Sequence, residues 1–338
     1  MKAVGYTKSL PVSDPNVLVD FTAEMPAPGP REVRVAVQAV SVNPVDTKVR
    51  KRAEPRPGEP PKILGYDAAG VVEAVGAAVT LFKPADEVFY AGSIARSGTN
   101  AEFHAVDERI VGRKPKSLSF AQAAALPLTA ITAWEMLFDR FGVVPGKAPD
   151  GRALLVIGGA GGVGSIMIQL AKKLTALTII ATASRKETRD WCLKLGADYV
   201  IDHTKPLADQ LKTIGRAQVA LIAGISGTDT SFPQVADIIA PFGKFALIDD
   251  PKAIDVTPLK RKAASVHWES MFTRAIFETP DMIGQHKLLN EVSAMIDSGL
   301  IITTAAQELS PINAANLIKA HAQIESATTI GKVVLSGW

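Results

Sequence analysis

The sequence has a single cysteine, Cys192, among 338 residues. One thiol excludes a disulfide within the chain and a structural zinc lobe built from several cysteines. Such sparing use of cysteine is typical of a reducing compartment, and we expect a cytoplasmic protein. Because Trp191 and Leu193 flank Cys192, we expect a buried helix position and not a reactive thiol.

Long charged runs and long apolar helices are also lacking. The net charge of +3 is spread along the chain, so we expect neither nucleic acid nor an anionic membrane surface as a partner. The N-terminal MKAVGYTKSLPVSDP lacks the apolar region of about 7 to 15 residues that marks a signal peptide. Residues 153–171 are uncharged, but five glycines divide them, which argues against a membrane span.

A glycine-rich turn is the most informative feature that the sequence does contain. Residues 153–186 read as an apolar strand, a turn, an amphipathic helix and a second strand. Gly159, Gly161 and Gly164 have the G-x-G-x-x-G spacing, in which the glycines serve a tight turn, close approach to a pyrophosphate, and helix–strand packing. The helix that follows directs free N–H groups and its positive dipole end at the anion. The pattern predicts a dinucleotide site.

The end of the second strand indicates which dinucleotide. An NAD site has Asp or Glu about 20 residues after the glycines to bind the ribose hydroxyls. No acidic residue occurs between Gly159 and Lys186, and the strand ends in Ser184, Arg185 and Lys186. One charge-assisted hydrogen bond contributes about 1.5 to 3 kcal/mol, enough for a 2′-phosphate contact to shift the preference by tens of fold. We therefore predict NADPH.

The first third of the chain has the alternation of a small antiparallel β domain. Apolar residues alternate with polar ones in residues 31–40, as in a half-buried strand. Further short strands are predicted at 69–75, 87–91 and 100–106. The segment 51–62 holds four prolines and is predicted to be a loop near the mouth of a cleft.

From Ser119 onward the pattern changes to helices and then to β-α alternation. Ser119 and Gln122 predict a capping box at the start of a helix; Pro127 interrupts this helix, and a second one is predicted to run to about Arg140. Six strands, near 153–157, 177–183, 198–201, 218–223, 243–248 and 264–269, predict a doubly wound parallel sheet. The tail is predicted as a helix at 284–297, a strand at 301–308, a helix capped by Ser310 with Pro311 in its first turn, and a closing strand at 332–335 that returns to the first domain.

Four motifs carry a family resemblance: NPVD at 43–46, GYDAAGVV at 65–72, GGAGGVG at 158–164 and IGKVVL at 330–335. In this order they resemble the medium-chain dehydrogenase/reductase superfamily, and more narrowly its zinc-free quinone oxidoreductase branch, often labelled zinc-type alcohol dehydrogenase-like. The resemblance implies an α/β protein with a GroES-like small β-barrel domain and a Rossmann sheet. It implies a GroES-like catalytic domain at 1–126, a Rossmann NADP-binding domain at 127–270, and a return to the catalytic domain at 271–338.

The residues at the metal positions of zinc-dependent relatives differ here. The position matching Asn43 is a cysteine in those relatives, the position matching Tyr66 is a histidine, and the third ligand falls near Leu128. A catalytic zinc needs three protein ligands of N, S or O type, which Asn, Tyr and Leu do not supply. The five histidines, at 104, 203, 267, 286 and 321, have no close spacing. We expect no bound metal.

Without a Lewis acid, the reaction implied is hydride transfer to an acceptor that delocalises its own negative charge. Quinones and α,β-unsaturated carbonyls (enones) are such acceptors. By resemblance the catalytic candidates are Asn43 and Tyr66, where the metal would be, and Lys48, at a position that is a tyrosine in some quinone oxidoreductases, as a cation or proton source. Each has a structural alternative: Asn43 could shape a turn before Pro44, Tyr66 could be core, and Lys48 could be solvated. Asp46 and Asp67 are expected to anchor loops.

The resemblance also extends the predicted cofactor site and leaves alternatives open. It adds Thr129, Gly162, Val163, His203, Ala223, Ile225, Ile248 and Lys332. Kinship implies a homodimer. The aromatic segment 267–277 could line the substrate pocket or form the dimer contact, or Trp268 and Phe272 could be ordinary core. Rival functions are an NADPH-binding, crystallin-like protein with little turnover, and a zinc alcohol dehydrogenase.

Overall fold

The computed structural model describes residues 1–146 and 148–338. It contains two compact units: the first unit comprises residues 1–131 and 272–338, and the second unit residues 132–271. Among the described residues, no helix combines the length and hydrophobicity needed to cross a bilayer.

The first unit begins with short strands and three helices. In chain order these are β1 (Lys2–Tyr6), β2 (Val19–Thr22), β3 (Glu32–Val42), α1 (Pro44–Arg52), β4 (Lys62–Ile63), β5 (Ala68–Val75), β6 (Glu87–Tyr90), β7 (Phe103–Asp107), β8 (Val111–Arg113), α2 (Phe120–Ala124) and α3 (Pro127–Trp134). The alternation predicted for 31–40 is confirmed in β3, whose Val33, Val35 and Val37 are buried. Strand β3 pairs antiparallel with both β5 and β7.

Helix α1 corrects part of the loop prediction. The prediction treated Lys51 and Arg52 as loop, but they form the last turn of α1. Pro44 occupies the first turn, where its missing N–H costs nothing, and the first later proline is Pro55. The helix can therefore continue to Arg52, and the loop begins after it. The Ser119–Gln122 capping box is confirmed.

The second unit is a doubly wound parallel sheet, as predicted. After a π-helical turn (Glu135–Arg140) come β9 (Ala153–Ile157), α4 (Gly162–Leu174), β10 (Thr178–Thr182), α5 (Lys186–Lys194), β11 (Tyr199–Ile201), α6 (Leu207–Thr213), β12 (Val219–Gly224), α7 (Thr228–Ile238), β13 (Ile239–Leu247) and β14 (Ser265–Trp268). The strand order is β11-β10-β9-β12-β13-β14. The order reverses between β9 and β12, and ligands bind such sheets at this point, outside the carboxyl ends of the strands.

The C-terminal segment belongs to the first unit. It contains α8 (Thr273–Ile276), α9 (Gly284–Asp297), β15 (Ala305–Leu309), α10 (Ala314–Glu325) and β16 (Lys332–Ser336). The bounds predicted for α9 are confirmed. Strand β16 pairs parallel with β15 and antiparallel with β3, so the last strand of the chain lies beside one of the first.

Two predictions in this segment were wrong. Strand β15 begins at Ala305 and not at 301. Ser310 does not cap α10, because the helix begins at Ala314, and Asn313 is the cap: its side-chain oxygen accepts the N–H of Asn316 at 2.9 Å. Ser310 and Pro311 lie before the helix, where no free helical N–H is in reach.

Candidate active site

A buried carboxylate, Asp67, is the centre of a polar cluster in the first unit. Its Oδ2 accepts hydrogen bonds from Asn43 Nδ2 (2.8 Å), Lys332 Nζ (3.0 Å) and Ser41 Oγ (3.1 Å). Its Oδ1 accepts the backbone N–H of Leu128 at 2.8 Å. Four donors thus converge on one carboxylate that is 0% exposed.

Strand register explains why these residues meet. Strand β3 lies between β5 and β16, and its last residues pair with the first residues of each: Val40 opposite Ala68, and Val42 opposite Val333. Ser41 and Asn43 are therefore next to Asp67 on one side and Lys332 on the other. Helix α3 adds the N–H of Leu128 from its first turn.

Lys332 was predicted to bind the cofactor, and the structure places it inside the cluster. Its ammonium donates to Val42 O (3.1 Å), to Asn43 Oδ1 and to Asp67. An ammonium has three donors, so these three oxygens use all of them. The side chain is 3% exposed. As a cofactor contact, Lys332 stays a prediction.

The polar atoms of Asn43 also face the protein. Its Nδ2 donates to Asp67, with Ser41 O at 3.5 Å, and its Oδ1 accepts from Lys332. Its backbone N–H donates to Asp46 Oδ2 at 2.7 Å. These contacts make Asn43 the residue that joins the start of α1 to the Asp67 cluster.

Asp46 anchors two loops, as expected. Besides the N–H of Asn43, it accepts the N–H of Gly65 at 2.9 Å. Burial raises the pKa of Asp46 to about 7, although the hydrogen bond from Asn43 and the charge of Lys332 oppose the shift. Burial also raises the pKa of Asp67, against the opposing charge of Lys332.

Tyr66 differs from its neighbours because its hydroxyl takes no part in the hydrogen-bond network of the described residues. The side chain is 1% exposed, and its ring packs edge-on against Phe272 with centroids 5.5 Å apart. Among the described residues, its hydroxyl has no hydrogen-bond partner. Burial, with the charge of Asp46, raises the pKa of Tyr66 above its ordinary value, so the hydroxyl stays protonated and can donate.

The residue before Tyr66 must be glycine. Gly65 has φ of +110°, and a Cβ there would lie 2.5 Å from Thr99 Oγ1 and 2.7 Å from Asn100 Oδ1. No other residue fits both this conformation and this space. The third catalytic candidate, Lys48, lies in the second turn of α1 and is half-buried.

The glycine turn of the second unit fits a nucleotide phosphate. Gly161 is the N-cap of α4, and a Cβ on it would meet only Gly158 O, at 3.7 Å. At Gly164 a Cβ would lie 2.4 Å from Gly158 O and 2.6 Å from Gly159 O. The helix therefore packs tightly on the turn at Gly164, while the space at Gly161 is open. Gly162 and Val163 form the first turn of α4, where N–H groups are free to bind an anion.

Three exposed residues follow β10: Ser184, Arg185 and Lys186. Arg185 is the N-cap of α5, and Lys186 pairs with Asp190 at 2.5 Å. Ser184 also lines a crevice of about 430 Å³ together with Arg189, Asp202, Lys205 and Gln210.

The remaining predicted cofactor residues fall in two places. His203 follows β11, Ile225 follows β12 and Ile248 follows β13, so the parallel sheet brings them to the edge that carries the glycine turn; Ala223 lies within β12 and is buried. Thr129 belongs to the first unit, and its hydroxyl donates to Leu126 O at 3.1 Å.

A zinc ion does not fit the residues present. Among the described residues, no three His, Cys, Asp or Glu side chains are grouped as metal ligands. Leu128 offers no ligand atom. The carboxylates of Asp46 and Asp67, which could coordinate a metal, already accept N–H donors on both oxygens.

Sequence reasoning missed two features of these sites, Asp67 and Arg189, and was right for only one of the two aromatic residues offered as core. Asp67 was expected only to anchor a loop, although it lies next to Tyr66 in the GYD motif. Phe272, one of two residues offered as ordinary core, is buried against Tyr66, whereas Trp268 is 58% exposed. Arg189 was not considered, although it lies one helical turn after Arg185 and donates to Val200 O at 3.0 Å.

Cys192 was predicted to be a buried helix residue, and this is confirmed. It lies on α5 and is 0% exposed, and burial raises the pKa of its thiol to about 11. A Cβ added to Gly159 would lie 3.1 Å from its sulfur, so the thiol packs behind the glycine turn.

Two known families match the chain. Residues 29–129 match the alcohol dehydrogenase GroES-like domain, and residues 162–291 match the zinc-binding dehydrogenase family. Together with the sheet order, these matches confirm the expected fold class of a GroES-like domain and a Rossmann-type sheet.

Two of the relatives that match at full length carry alcohol dehydrogenase names. A zinc-type alcohol dehydrogenase-like protein of Staphylococcus aureus (strain COL) is 40% identical over 99% of this chain and 100% of its own. A solved structure from Rhizobium etli CFN 42, described as a candidate zinc-dependent alcohol dehydrogenase, is 57% identical, covers 100% of this chain and 98% of its own, and superposes with a TM-score of 0.95.

Other relatives are reductases. The NADPH-dependent alkenal/one oxidoreductase of Arabidopsis thaliana is 40% identical over 53% of this chain and 47% of its own. The quinone oxidoreductase of Escherichia coli, solved in complex with NADPH, is 26% identical over 99% of this chain and 100% of its own, with a TM-score of 0.84. The chain belongs to the medium-chain dehydrogenase/reductase superfamily of NAD(P)-dependent oxidoreductases, among proteins named zinc-type alcohol dehydrogenase-like.

Proposed function

We propose that the protein is an NADPH-dependent reductase that transfers hydride to a quinone or an α,β-unsaturated carbonyl without a catalytic zinc, as in the quinone oxidoreductase branch. Its relatives include proteins named for both kinds of acceptor. The acceptor would be a small molecule, as the names of these relatives suggest.

The observation that carries this proposal is the state of the Tyr66 hydroxyl. Among the described residues it is buried and has no partner, whereas the side chains of Asn43 and Asp67 are used by one another and by Lys332. A buried polar group without a partner costs about 1 to 3 kcal/mol. An acceptor oxygen would relieve this cost. Tyr66 is therefore the proposed donor, and Asn43 a residue that positions its surroundings.

The chemistry suits a donor of this kind. When bound, NADPH supplies the hydride. The negative charge that then develops on a quinone or enone oxygen is spread over a conjugated system, so a hydrogen bond can stabilise it in place of a Lewis acid. Tyr66 keeps its proton because its pKa is raised. The hydroxyl therefore stabilises the charge by donating a hydrogen bond.

The residues proposed to hold the cofactor lie at the carboxyl edge of the parallel sheet. Gly161, Gly162 and Val163 would face the pyrophosphate, and Ser184 and Arg185 the 2′-phosphate. The choice of NADPH over NADH follows from the lack of a carboxylate at the end of β10 and the presence of basic residues there. The proposed set also includes Gly159, Gly164, Lys186, His203, Ala223, Ile225 and Ile248 of the second unit, and Thr129 and Lys332 of the first unit.

The zinc-free part of the proposal stands against the names of several relatives, which are called zinc-type or zinc-dependent alcohol dehydrogenases. It is supported by the donor set: Asn43, Tyr66 and Leu128 do not make a zinc site, and the nearby carboxylates are committed to N–H groups. Elemental analysis of the purified protein would show about one zinc per chain if this is wrong.

A homodimer is the proposed assembly. Strand β14 is an edge of the six-stranded sheet, and its Trp268 is 58% exposed. An unpaired edge with an exposed aromatic residue is a site for pairing with a second copy. Val266→Pro removes a backbone N–H from this edge strand. Light scattering should give the mass of a dimer for the wild-type protein and of a monomer for Val266→Pro. A monomeric wild-type protein would contradict this assembly.

The decisive experiment is turnover. We expect oxidation of NADPH with a quinone and with an enone, followed by absorbance, and a decrease of kcat of about 100-fold in Tyr66→Phe, the loss that follows removal of one oxyanion donor. Phenylalanine keeps the packing on Phe272. Tight NADPH binding without turnover of any acceptor would favour the crystallin-like alternative, and chelator-sensitive alcohol oxidation would favour a zinc alcohol dehydrogenase.

The coenzyme preference has its own test. Arg185→Ala should weaken NADPH binding by tens of fold and leave NADH binding nearly unchanged, since the lost contact is to the 2′-phosphate alone. Equal effects on both coenzymes, measured by fluorescence titration, would remove Arg185 from the phosphate site.

A further inference from the structure

We propose that Asp67 and Lys332 form a buried positioning pair that fixes the Tyr66 hydroxyl where the acceptor oxygen must receive its hydrogen bond. The inference rests on the proposed function, because it assigns a role relative to Tyr66. It goes further in identifying which residues make that donor effective.

Neither member of the pair can serve the acceptor directly. The three ammonium donors of Lys332 go to Val42, Asn43 and Asp67, and both carboxylate oxygens of Asp67 accept hydrogen bonds. Both side chains are almost fully buried. The opposite charges of the carboxylate and the ammonium neutralise each other within the pair. Its effect must reach the reaction through the residues that it holds.

Tyr66 lies between two residues whose main chain is hydrogen-bonded, and the second of them, Asp67, is the residue whose side chain the pair fixes. Asp67 directly follows Tyr66, and its carbonyl accepts from Thr99 Oγ1 (3.1 Å) and from the N–H of Ser41 (3.3 Å). On the other side of Tyr66, Gly65 donates to Asp46 and accepts from the N–H of Thr99 at 2.9 Å. The backbone is thus fixed before and after the tyrosine.

The same carboxylate also controls the first turn of α3. Asp67 Oδ1 holds the N–H of Leu128, next to Thr129, which is proposed to contact the cofactor. Lys332 brings β16 to this point from the other end of the chain. One ion pair therefore connects the segment that carries the donor with the helix that carries Thr129.

Removing one charge should disturb this arrangement in a specific way. In Asp67→Asn a single acceptor oxygen faces four donors, and the new amide N–H₂ must point at Leu128 N or at the donors of Asn43 and Lys332. In Lys332→Met the carboxylate is left buried and uncompensated, which is strongly destabilising for such a pair. The double variant removes both charges at once.

The effect should appear in kcat more than in KM. The hydrogen bond from Tyr66 strengthens as charge develops on the acceptor, so a shift of the donor weakens the transition state more than the bound substrate. A misplacement of about 1 Å can cost about 100-fold. We expect kcat to fall at least about tenfold in Asp67→Asn, with the acceptor KM and the Kd of NADPH changed less than about threefold.

The test is a mutant cycle with Tyr66→Phe. If Asp67 acts through the tyrosine, Asp67→Asn should lower kcat at least about tenfold in the wild-type background but less than about twofold in the Tyr66→Phe background. Glu73→Gln is the matched control, because Glu73 is on the same strand, β5, and pairs with Arg34 at 2.6 Å on the surface. It should leave kcat unchanged.

Lys332 supplies a second, independent comparison. Lys332→Arg keeps the charge and should retain more activity than Lys332→Met, and Asp67→Asn/Lys332→Met should be more active than the product of the two single effects. Circular dichroism and urea denaturation of each variant report whether it is folded, independently of the cofactor. If Asp67→Asn does not fold, the Lys332 series carries the test.

The possible negative results distinguish the positioning role of the pair from the donor role of Tyr66. An equal loss from Asp67→Asn in both backgrounds, or full activity in Lys332→Met, overturns the positioning role while leaving Tyr66 as donor. Full activity in Tyr66→Phe overturns the proposed donor and with it this inference.

Discussion

At the scale of single residues, the two candidate sites differ in packing: the surroundings of Tyr66 are tightly packed, whereas the glycine turn leaves space at one of its positions. Among the described residues, the buried hydroxyl of Tyr66 has no hydrogen-bond partner. In the glycine turn, the lack of side chains leaves room at Gly161 and permits backbone contact at Gly164. The two glycines therefore have different physical roles, although the motif presents them alike.

This difference predicts opposite results for two alanine variants. In Gly164→Ala the added Cβ would lie 2.4 Å from Gly158 O, so the helix must shift, and we expect a loss of about 1 to 3 kcal/mol in the free energy of unfolding. In Gly161→Ala the Cβ enters open space, so the free energy of unfolding should change little. Because the pyrophosphate is proposed to occupy that space, NADPH binding should weaken at least tenfold. Urea denaturation and fluorescence titration measure the two quantities.

The comparison contains its own control, because each variant adds the same methyl group. Equal stability losses would show that Gly161 is also packed. Unchanged NADPH binding in Gly161→Ala would mean that the cofactor does not approach this turn.

At the scale of elements, the helix N-termini show where a local sequence pattern identifies the capping residue correctly and where it does not. The Ser119 capping box was correct because its partner, Gln122, lies at the right distance within the same turn. The choice of Ser310 was wrong because the helix begins at Ala314, so that its N-cap is Asn313. Asn313, three residues later, satisfies Asn316 N–H.

The cap of α10 can be tested directly. Asn313→Ala removes the side-chain acceptor for the N–H of Asn316, and caps of this kind contribute about 0.5 to 2 kcal/mol to stability. We expect a loss of about 1 kcal/mol in urea denaturation. Ser310→Ala is the matched control, since the exposed Ser310 lies outside the helix, and it should be within about 0.5 kcal/mol of the wild type. The reverse order would restore Ser310 as the cap.

At the scale of the whole molecule, buried titratable groups connect stability to pH. His104 is buried in the first unit, stacked on Tyr90 with ring centroids 5.5 Å apart, and its Nε2 contacts Ser97 O at 2.9 Å. Burial lowers its pKa to about 4. In the unfolded chain the pKa of a histidine is about 6.5.

The sign of the pH effect follows from this difference. Between about pH 6.5 and pH 4, the unfolded chain binds a proton at His104 that the folded protein does not, so the free energy of unfolding falls as the pH falls. The stability is fully present above about pH 6.5, and at most about 3 kcal/mol is lost by pH 4. His321, whose pKa burial lowers to about 3, acts in the same direction.

His104→Asn isolates this contribution. The variant should be less stable than the wild type at pH 7, and the difference should shrink toward pH 4 in urea denaturation across that range. Asp46, with a pKa raised to about 7, has the opposite slope, but it is present in both proteins. His203→Asn is the control, because His203 is exposed. Parallel curves for His104→Asn and the wild type would contradict the prediction.

The sequence by itself determined the elements and the glycine turn. Alternation of period 2 in β3, the β-α alternation after Ala153 and the G-x-G-x-x-G spacing are local, and each expresses a backbone geometry that a few neighbouring residues impose. The six parallel strands and the placement of Gly161 and Gly164 were predictable for this reason, as was the family.

Only the tertiary structure decided which polar groups of the candidate site are hydrogen-bonded within the protein and which is not. Lys332 reaches Val42 across 290 positions of the chain, and Asp67 reaches Leu128 across 61. Such contacts depend on how β3 pairs with β5 and β16, which no local pattern specifies. Until that pairing was known, Asn43 and Tyr66 were equal candidates for the catalytic hydrogen-bond donor. The pairing satisfies every polar atom of Asn43 and leaves the hydroxyl of Tyr66 buried without a partner among the described residues.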